Sequence, residues 1–296
     1  MTTTSGNFAE LLWPGIKELF GKAYNDYPVL YTKIFETVQS SMAFEKYQSV
    51  TGLTLAGVKT QGAPIPYVDP YQGYQKEMVN TTFGLGSIVT REMYEDDQYN
   101  YINKIPSMLA RSARQTMETL AWNVINRATN TSYTGADGTV LAATTHPLVG
   151  GGTYSNLLTA ADLTQTSYEV AIQTIMDAVD DQSLKIRLMP KTLVIPTGST
   201  IRAKKILQSD RVTGSNDNDM NVVRNETDLV VVPWITDADS WAITTDCPNG
   251  LIWQERRKLE FGRDNEFDTE NLKFKMTWRS DVSWVDPRCL YYNAGA

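Results

Sequence analysis

The sequence is poor in the residues that most often carry chemistry. Its 296 residues contain one histidine, His146, and two cysteines, Cys247 and Cys289. A structural zinc site needs about four cysteine or histidine ligands, and a Ser-His-Asp or Cys-His arrangement needs a histidine beside its nucleophile. Because Pro147 holds the backbone of His146 in extended geometry, we interpret this histidine as a hydrogen-bonded loop residue rather than a catalytic base. No CxxC motif joins the cysteines, so we expect two free thiols.

Long apolar runs and an excess of positive charge are also missing. The most apolar stretch, Leu229 to Ile235, contains Pro233 and is far shorter than the roughly 18 residues of a membrane span, so we expect no contact with a membrane. The first residues, Met1 to Gly6, have neither a basic nor an apolar segment, and we therefore expect no secretory signal. Lys and Arg number 27 against 34 Asp and Glu, a net charge of -7, which argues against tight binding of nucleic acid as the main task.

Carboxylates are the remaining candidates for catalysis. They cluster at Glu95 to Asp97, Asp180-Asp181, Asp217 to Asp219 and Asp237 to Asp239. A carboxylate pair could hydrolyse a glycoside or bind a hard cation. Each cluster lies beside a predicted helix end or turn, however, where aspartate commonly caps backbone amides, and we favour that structural interpretation.

The glycines and the basic residues give weak functional signals. Gly84-Leu85-Gly86 lacks the third glycine of a dinucleotide-binding loop, and no Walker GKS or GKT motif occurs. Arg256-Arg257-Lys258 is the one dense basic run, which could contact DNA weakly and without sequence preference, or could form a solvated or ion-paired strand end.

The first third of the chain changes from helical to β character. Apolar spacing predicts helix over residues 8–45, with a second helix after Pro28. From Ser49 to Thr90 the pattern predicts a long two-stranded ribbon, entered by Leu53 to Val58, with an aromatic and proline-rich tip. Such a ribbon is marginally stable alone, so it either folds back on its own domain or reaches a neighbouring subunit.

The strongest helical pattern spans Ser107 to Ala128. Asp96 or Asp97 could cap this helix, and Pro106 suits its first turn. Its apolar residues recur every three or four positions, at Leu109, Ala113, Met117, Leu120, Val124 and Ala128, whereas Arg111, Arg114, Glu118 and Arg127 fall mostly away from this stripe. We expect an extended helix on which other elements rest.

The second half predicts an α/β unit and then a β section. Within Leu158 to Gly250, Asp162 could cap one helix, Thr197 or Ser199 could open another, and Thr192 to Ile195, Leu229 to Val232 and Trp241 to Thr244 are predicted strands. The loop from Asn130 to Gly152 is expected to hold one short strand around Val140. Residues Leu272 to Trp278 alternate strictly between apolar and polar, which predicts a strand with one buried face. The tryptophans of this half, Trp234, Trp241, Trp253, Trp278 and Trp284, are expected to anchor the core.

The order of these segments resembles a known family. An N-terminal helical arm and a long β excursion lead into Phe83-Gly84-Leu85-Gly86-Ser87-Ile88-Val89-Thr90-Arg91-Glu92-Met93-Tyr94-Glu95-Asp96-Asp97 and a long amphipathic helix, followed by Asp137-Gly138 and Thr144-Thr145-His146-Pro147. This order resembles the tailed-phage major capsid proteins of the HK97 fold, and most closely the Mu-type major head subunits.

The resemblance implies an α+β fold with four regions. Residues 1–46 would form the N-arm, residues 47–82 the E-loop, residues 83–157 and 251–296 the peripheral (P) domain around its spine helix, and residues 158–250 the axial (A) domain. In the E-loop, Lys59, Pro64, Tyr67, Tyr71 and Tyr74 would contact a neighbouring subunit. Arg256, Arg257 and Lys258 would give weak DNA contact. Although some family members form covalent Lys-to-Asn cross-links, no motif here fixes an acceptor, and none is predicted.

The resemblance also implies a function without catalysis, cofactor or metal. The chain would self-assemble into the hexamers and pentamers of an icosahedral shell around double-stranded DNA. It would be built in the host cytoplasm with a scaffolding protein, a portal and a maturation protease, and would end in the virion. Two alternatives stay open: an encapsulin-like shell of the same fold that encloses protein, and a carboxylate-based hydrolase.

Overall fold

The computed structural model describes residues 9–96, 102–211, 220–266 and 268–296. The α-helices are α1 (Ala9–Asp26), α2 (Arg91–Glu95), α3 (Lys104–Asn126), α4 (Gln165–Met176) and α5 (Thr200–Gln208). The strands are β1 (Glu36–Gln39), β2 (Phe44–Val50), β3 (Gln72–Val79), β4 (Thr81–Val89), β5 (His146–Pro147), β6 (Thr153–Tyr154), β7 (Pro190–Pro196), β8 (Asp228–Val232), β9 (Trp241–Thr245), β10 (Leu251–Asn265), β11 (Leu272–Trp284) and β12 (Leu290–Asn293). The mixed α+β class predicted from the sequence is confirmed.

Helix α3 is the predicted spine. Its 23 residues span about 35 Å at the usual rise of about 1.5 Å per residue, and Pro106 lies in the first turn. The buried side is lined by Leu109, Ala113, Met117, Ala121, Trp122, Val124 and Ile125. The proposed capping role of Asp96 is wrong, because Asp96 ends the short helix α2 as its C-cap. Asp97 falls outside the described residues.

A four-stranded sheet in the order β1-β10-β11-β4 packs against α3. Strand β11 shows the predicted alternation: Phe274, Met276 and Trp278 are buried, whereas Lys273 and Lys275 lie on the opposite face. The central strands β10 and β11 are antiparallel, and β1 joins the edge of β10 in parallel. The spine helix therefore closes one face of this sheet, and Lys273 and Lys275 lie on the other face.

A second sheet, in the order β12-β9-β7-β8, forms the α/β unit. Helices α4 and α5 share one core with one face of this sheet, and residues of its other face join the core around α3. The predicted strands at Thr192, Leu229 and Trp241 are confirmed. Strand β12 also belongs to this sheet through its pairing with β9, although it falls within residues 251–296, which the resemblance assigned to the P domain.

The helix α4 begins at a capping box rather than at the predicted aspartate. Thr164 is its N-cap, and the side chains of Thr164 and Ser167 each accept a hydrogen bond from the other residue's backbone N–H. Asp162 forms an ion pair with Arg202 of α5 instead. The predicted opening of α5 is correct in outline, since a 3-10 turn at Thr197–Ser199 leads into the helix.

Three further predictions about local structure are wrong. The chain after Pro28 forms only a 3-10 turn, Tyr31–Lys33, and then β1, because β10 supplies a pairing partner that local sequence does not reveal. Val140 lies outside any strand, and the short strands of that loop are β5 and β6. Residues 53–58 form no strand; the ribbon consists of β2 and β3.

Within the described ranges, no helix combines the length and the apolar character that crossing a bilayer requires.

Candidate assembly surfaces

The paired part of the ribbon ends at Thr51 and Tyr71. The backbone N–H of Thr51 donates to the carbonyl oxygen of Tyr71 at 3.0 Å, and the N–H of Tyr71 donates to Thr51 Oγ1 at 2.9 Å. Residues 52–70, here called the tip, continue without strand structure. Within the tip, Ala63 N–H bonds to Thr60 O around Gly62, whose φ of +84° suits glycine in a tight turn.

The tip carries large apolar side chains in full contact with solvent. The exposed fractions reach 99% for Val58, 93% for Tyr67 and 77% for Leu55. The other exposed large apolar residues of this stretch are Leu53, Ile65, Val68 and, at its boundary, Tyr71. So many large exposed apolar side chains in one short segment favour an interaction site.

The structure separates the five residues predicted for intersubunit contact. Lys59, Pro64, Tyr67 and Tyr71 are exposed on or beside the tip. Tyr74 lies lower on the ribbon and is half-buried against its own subunit. Burial raises the pKa of Tyr74, with smaller contributions from the charges of Asp137 and Asp181. Tyr74 thus lies closer to its own body than the other four, and the contact of all five residues with a neighbour stays a prediction.

The root of the ribbon is a buried polar network centred on Asn80, which sequence analysis did not identify. Asn80 lies between β3 and β4 and is 4% exposed. Its Nδ2 donates to Ser40 Oγ at 2.9 Å and to Met42 O at 3.0 Å, and its N–H donates to Ala43 O at 3.1 Å. Arg279 Nε donates to the carbonyl oxygen of Asn80 at 3.2 Å. One asparagine thus joins both ends of the ribbon to the sheet.

Gln254 of β10 completes this network from inside the body and is fully buried. Its Nε2 donates to Asn80 Oδ1 at 2.9 Å and to Met78 O at 3.5 Å, while its Oε1 accepts from Tyr47 Oη at 3.1 Å. Tyr47 belongs to β2 and Met78 to β3, so one side chain contacts both strands of the ribbon. The only sequence signal was a glutamine directly after the apolar run Leu251 to Trp253.

Lys76 of β3 provides a second contact between ribbon and body. Its Nζ donates to Thr134 O at 2.9 Å and lies 5.2 Å from the centre of the Trp284 ring. Burial lowers the pKa of Lys76 and raises that of Asp281, which faces the same cavity of about 330 Å³ between α3 and the sheet. This contact supports the lower part of the ribbon and leaves the tip free.

The N-terminal arm is held to the spine by Glu118, which is 0% exposed. Its carboxylate accepts from the backbone N–H groups of Leu30 at 2.7 Å and Tyr31 at 3.2 Å, and from Trp122 Nε1 at 2.7 Å. Burial raises its pKa. The expectation that Glu118 points away from the packed face is therefore wrong: the arm, 88 positions away from it in sequence, covers it.

The histidine is structural, as predicted. His146 is 0% exposed, with Nδ1 2.7 Å from Asp137 Oδ2 and Nε2 2.9 Å from Asn156 Oδ1. Asn156 Nδ2 donates to three backbone carbonyl oxygens, so its Oδ1 is the atom that faces the ring. Both ring nitrogens are occupied by oxygen acceptors, which leaves neither for a substrate. The two cysteines are free thiols, also as predicted.

Arg288 connects the C-terminal segment to the α/β unit beside this histidine. Its guanidinium donates to Asp181 Oδ1 at 2.8 Å, to Asp286 Oδ2 at 3.2 Å and to Val179 O at 2.9 Å. It also lies 4.6 Å from the ring centre of Tyr154, the residue that stacks on His146. The carboxylate of Asp181 is thus used in a structural ion pair.

Two further aspartates of the acidic clusters serve turns, whereas Glu95 forms an ion pair with Arg91. Asp180 Oδ1 accepts from the N–H groups of Gln182 and Leu184 at 2.8 Å each, and Asp237 Oδ1 accepts from Asp239 N–H at 3.2 Å. Asp217 to Asp219 lie outside the described residues. In the part of the chain that is described, no group of three acidic, histidine or cysteine residues is placed to hold a metal ion.

The basic run lies on an exposed stretch of β10. Arg256, Arg257 and Lys258 occur where the pairing with β11 is interrupted by shifts in register, and all three are exposed. Arg257 forms an ion pair with Glu260 at 3.7 Å. DNA contact through these three residues stays a prediction.

The comparisons with known proteins identify the family of this chain. A family model described as phage capsid protein matches residues 75–293, which include the spine helix α3, three strands of the first sheet (β4, β10 and β11) and the whole second sheet. The chain belongs to the phage capsid protein family. This capsid protein is accordingly a structural component of a shell. Among curated proteins, none matches it in sequence.

Solved structures show that the capsid protein has an HK97-like fold. The capsid of bacteriophage JBD30 gives a TM-score of 0.60 at 12% identity, with 71% of this chain and 92% of that chain covered. The capsid of a native GTA particle gives 0.59 at 13% identity, with 90% of each chain covered. The virus-like particle from Pyrococcus furiosus gives 0.54 at 10% identity, with 94% of this chain and 97% of that chain covered. At these identities the likeness establishes the fold, and the Mu-type affiliation stays a prediction.

Proposed function

We propose that this capsid protein is the major head subunit of a tailed phage, forming the hexamers and pentamers of an icosahedral shell around packaged double-stranded DNA. The observation that carries the proposal is the tip, whose large apolar side chains are exposed in the single subunit. Burial of apolar surface stabilises association by about 25 cal/mol per Å², so covering these side chains with a second copy would favour assembly.

The four regions named above receive their roles within this proposal. Residues 1–46 act as an arm, residues 47–82 as the E-loop, residues 83–157 and 251–296 as the peripheral domain, and residues 158–250 as the axial domain around the centre of each ring. Lys59, Pro64, Tyr67, Tyr71 and Tyr74 make the contact with the neighbour. The extended spine and the projecting ribbon suit a subunit that builds a thin wall.

The partners follow from the same proposal. A scaffolding protein, a portal and a maturation protease act with the subunit in the host cytoplasm, and the product is the virion. DNA meets the shell through weak contacts, including Arg256, Arg257 and Lys258, because a net charge of -7 opposes tight binding of a polyanion.

A shortened ribbon tests the intersubunit role. Since Thr51 and Tyr71 already pair, an Asn-Gly turn can replace residues 52–70 without changing the strands below. We expect a folded subunit, with the wild-type circular dichroism spectrum and thermal midpoint, that forms no closed shells in negative-stain micrographs. Normal shells from this variant would contradict the proposal.

A second variant separates apolar burial from loop length. Val58→Ser with Tyr67→Ser keeps the full tip and removes two of its most exposed apolar groups. We expect assembly to require a higher protein concentration than wild type. As a control, Lys204→Gln on the exposed side of α5 should leave that concentration unchanged.

The content of the shell distinguishes the remaining alternative. A virus-like particle from Pyrococcus furiosus shares this fold, so an encapsulin-like shell that encloses protein is the second candidate. Shells isolated from the native source and treated with nuclease should release double-stranded DNA when opened. A defined protein cargo without DNA would favour the second candidate.

A further inference from the structure

The ribbon leaves the body through a buried hydrogen-bond network built around the side-chain amides of Asn80 and Gln254, and Arg279 donates to the backbone carbonyl oxygen of Asn80. Gln254 and Asn80 are 0% and 4% exposed, and their amide groups face each other at 2.9 Å. Their remaining amide atoms reach Tyr47, Met78, Ser40 and Met42. Every side-chain nitrogen and oxygen of the two amides therefore has a partner, and a fully satisfied buried network of this kind tends to fix one geometry.

The position of Gln254 makes this network rigid on the side of the body. Gln254 lies in β10, between strands β1 and β11. It is paired with Val38 of β1 and with Asp281 of β11. On the side of the ribbon it reaches Tyr47 of β2 and Met78 of β3. A rotation of the ribbon about its root would have to break bonds on both strands at once.

The contacts farther from the root are weaker constraints. Lys76 makes one hydrogen bond to a loop carbonyl and a ring contact through a long side chain that is partly exposed. Tyr74 is only half-buried. Beyond Thr51 and Tyr71 the tip is exposed. The root is thus the place where the direction of the whole ribbon is determined.

We propose that Gln254 and Asn80 are positioning residues that set the angle at which the ribbon leaves the body, and so determine which neighbouring copy the tip can reach. The second half of this inference rests on the proposed assembly function. The two amides are buried within their own subunit and act through the ribbon, since a small change in angle at the root is multiplied along its length.

The angle is measured directly by the distance between two spin labels in full-length, unassembled subunits. Thr60→Cys places one label on the tip, Thr119→Cys places the other on the exposed side of α3, and Cys247→Ser removes the less buried native thiol. Into this background we introduce Tyr47→Phe, which removes only the bond to Gln254 Oε1, and Gln254→Met, which removes all three bonds of the glutamine side chain. Gln75→Met, on the exposed side of β3, is the matched control.

We expect the distance distribution to broaden and shift in Tyr47→Phe, to do so more in Gln254→Met, and to match the parent in Gln75→Met. The same variants without labels should give misshapen shells or shells of mixed size. Tyr47→Phe loses a single hydroxyl and keeps the inference testable if Gln254→Met does not fold.

Two results would overturn the inference. An unchanged distance distribution in both Tyr47→Phe and Gln254→Met would show that the network does not set the angle between ribbon and body. A changed distribution together with uniform, wild-type shells would show that the angle does not select the neighbour. Failure of the proposed function is recognised separately: wild-type subunits would form no shells if the assembly function were wrong, and shells would form after replacement of residues 52–70 by Asn-Gly if the tip had no intersubunit role.

Discussion

The carboxylate of Glu118 accepts hydrogen bonds from the backbone N–H groups of Leu30 and Tyr31 at 2.7 and 3.2 Å, and so fixes the N-terminal arm to the spine helix. The two N–H groups belong to the start of a 3-10 turn, where donors have no partner within the turn. The arm and the helix therefore depend on each other for the burial of this charge.

Removal of this carboxylate should be costly. Glu118→Ala leaves two backbone N–H groups and the Trp122 indole N–H without their acceptor, at about 1–3 kcal/mol for each donor that stays buried. We expect the free energy of unfolding to fall by about 3–5 kcal/mol in urea titrations. Thr119→Ala changes the next residue of α3, which is exposed, and should change the free energy of unfolding by no more than about 0.5 kcal/mol. Similar values for the two variants would mean that the arm does not hold the carboxylate.

The same residue predicts a dependence of stability on pH. Burial raises the folded-state pKa of Glu118 above its ordinary value of 4.5. The folded state then binds the Glu118 proton more tightly than the unfolded chain does. The contribution of this proton to the free energy of unfolding is complete below the ordinary pKa and is lost as pH rises through the folded-state pKa. The free energy of unfolding of wild type minus that of Glu118→Gln should fall with rising pH and then level off. A difference that rises with pH would contradict the raised pKa.

Neighbouring positions of the spine helix should respond differently to the same substitution. Ala121 is fully buried, whereas Leu120 is only partly buried and lines the cavity beside Lys76. Ala121→Asp would place an unpaired charge in the core and should cost several kcal/mol, giving aggregated protein. Leu120→Asp should be recovered in folded form with a lower thermal midpoint. If both variants aggregate to the same extent, the partial exposure of Leu120 is not a property of the folded subunit.

The basic run should contribute modestly to DNA binding. For wild-type subunits with duplex DNA at physiological salt we expect dissociation constants on the order of 10⁻⁴ to 10⁻⁶ M. Replacement of Arg256, Arg257 and Lys258 by glutamine should weaken binding and reduce the salt slope by up to about 0.9 for each phosphate that is no longer neutralised. Lys204→Gln with Lys205→Gln removes two charges from α5 as a control. An equal effect per charge removed in the two sets would show that charge alone, and not this site, is measured.

The parts of the fold that sequence predicted are those where one element exposes one face and buries the other. Strand β11 and helix α3 show this directly. The apolar residues of β11 recur every second position and those of α3 about every 3.6 positions, so each pattern can be recognised within the element itself. Strand β1 could not be predicted, since Glu36 to Gln39 is extended only because β10 pairs with it, more than two hundred residues later. Glu118 was misassigned for the same reason: its partners belong to the arm.

The residues of the candidate assembly surfaces also fall into those that the sequence predicted and those that it did not. The exposed tip was recognisable from its proline and tyrosine content, and because a long two-stranded ribbon is marginally stable unless it contacts another surface. Asn80 and Gln254 were not recognisable, because a single side-chain amide carries no signal in the sequence until the fold brings other segments around it. The separation of Tyr74 from Tyr67 and Tyr71 likewise depends on the body beneath the ribbon.

The pairing of late strands with early ones has a consequence for synthesis on the ribosome. Strand β1 can pair only after β10 has been synthesised, and β4 can pair only after β11. Strand β9 gains its pairing with β12 only when Leu290–Asn293 has been made. Neither sheet can close before these late strands have been made, and pairings this distant in sequence form slowly. A nascent chain that lacks β10 to β12 therefore also lacks the finished surfaces through which subunits could associate.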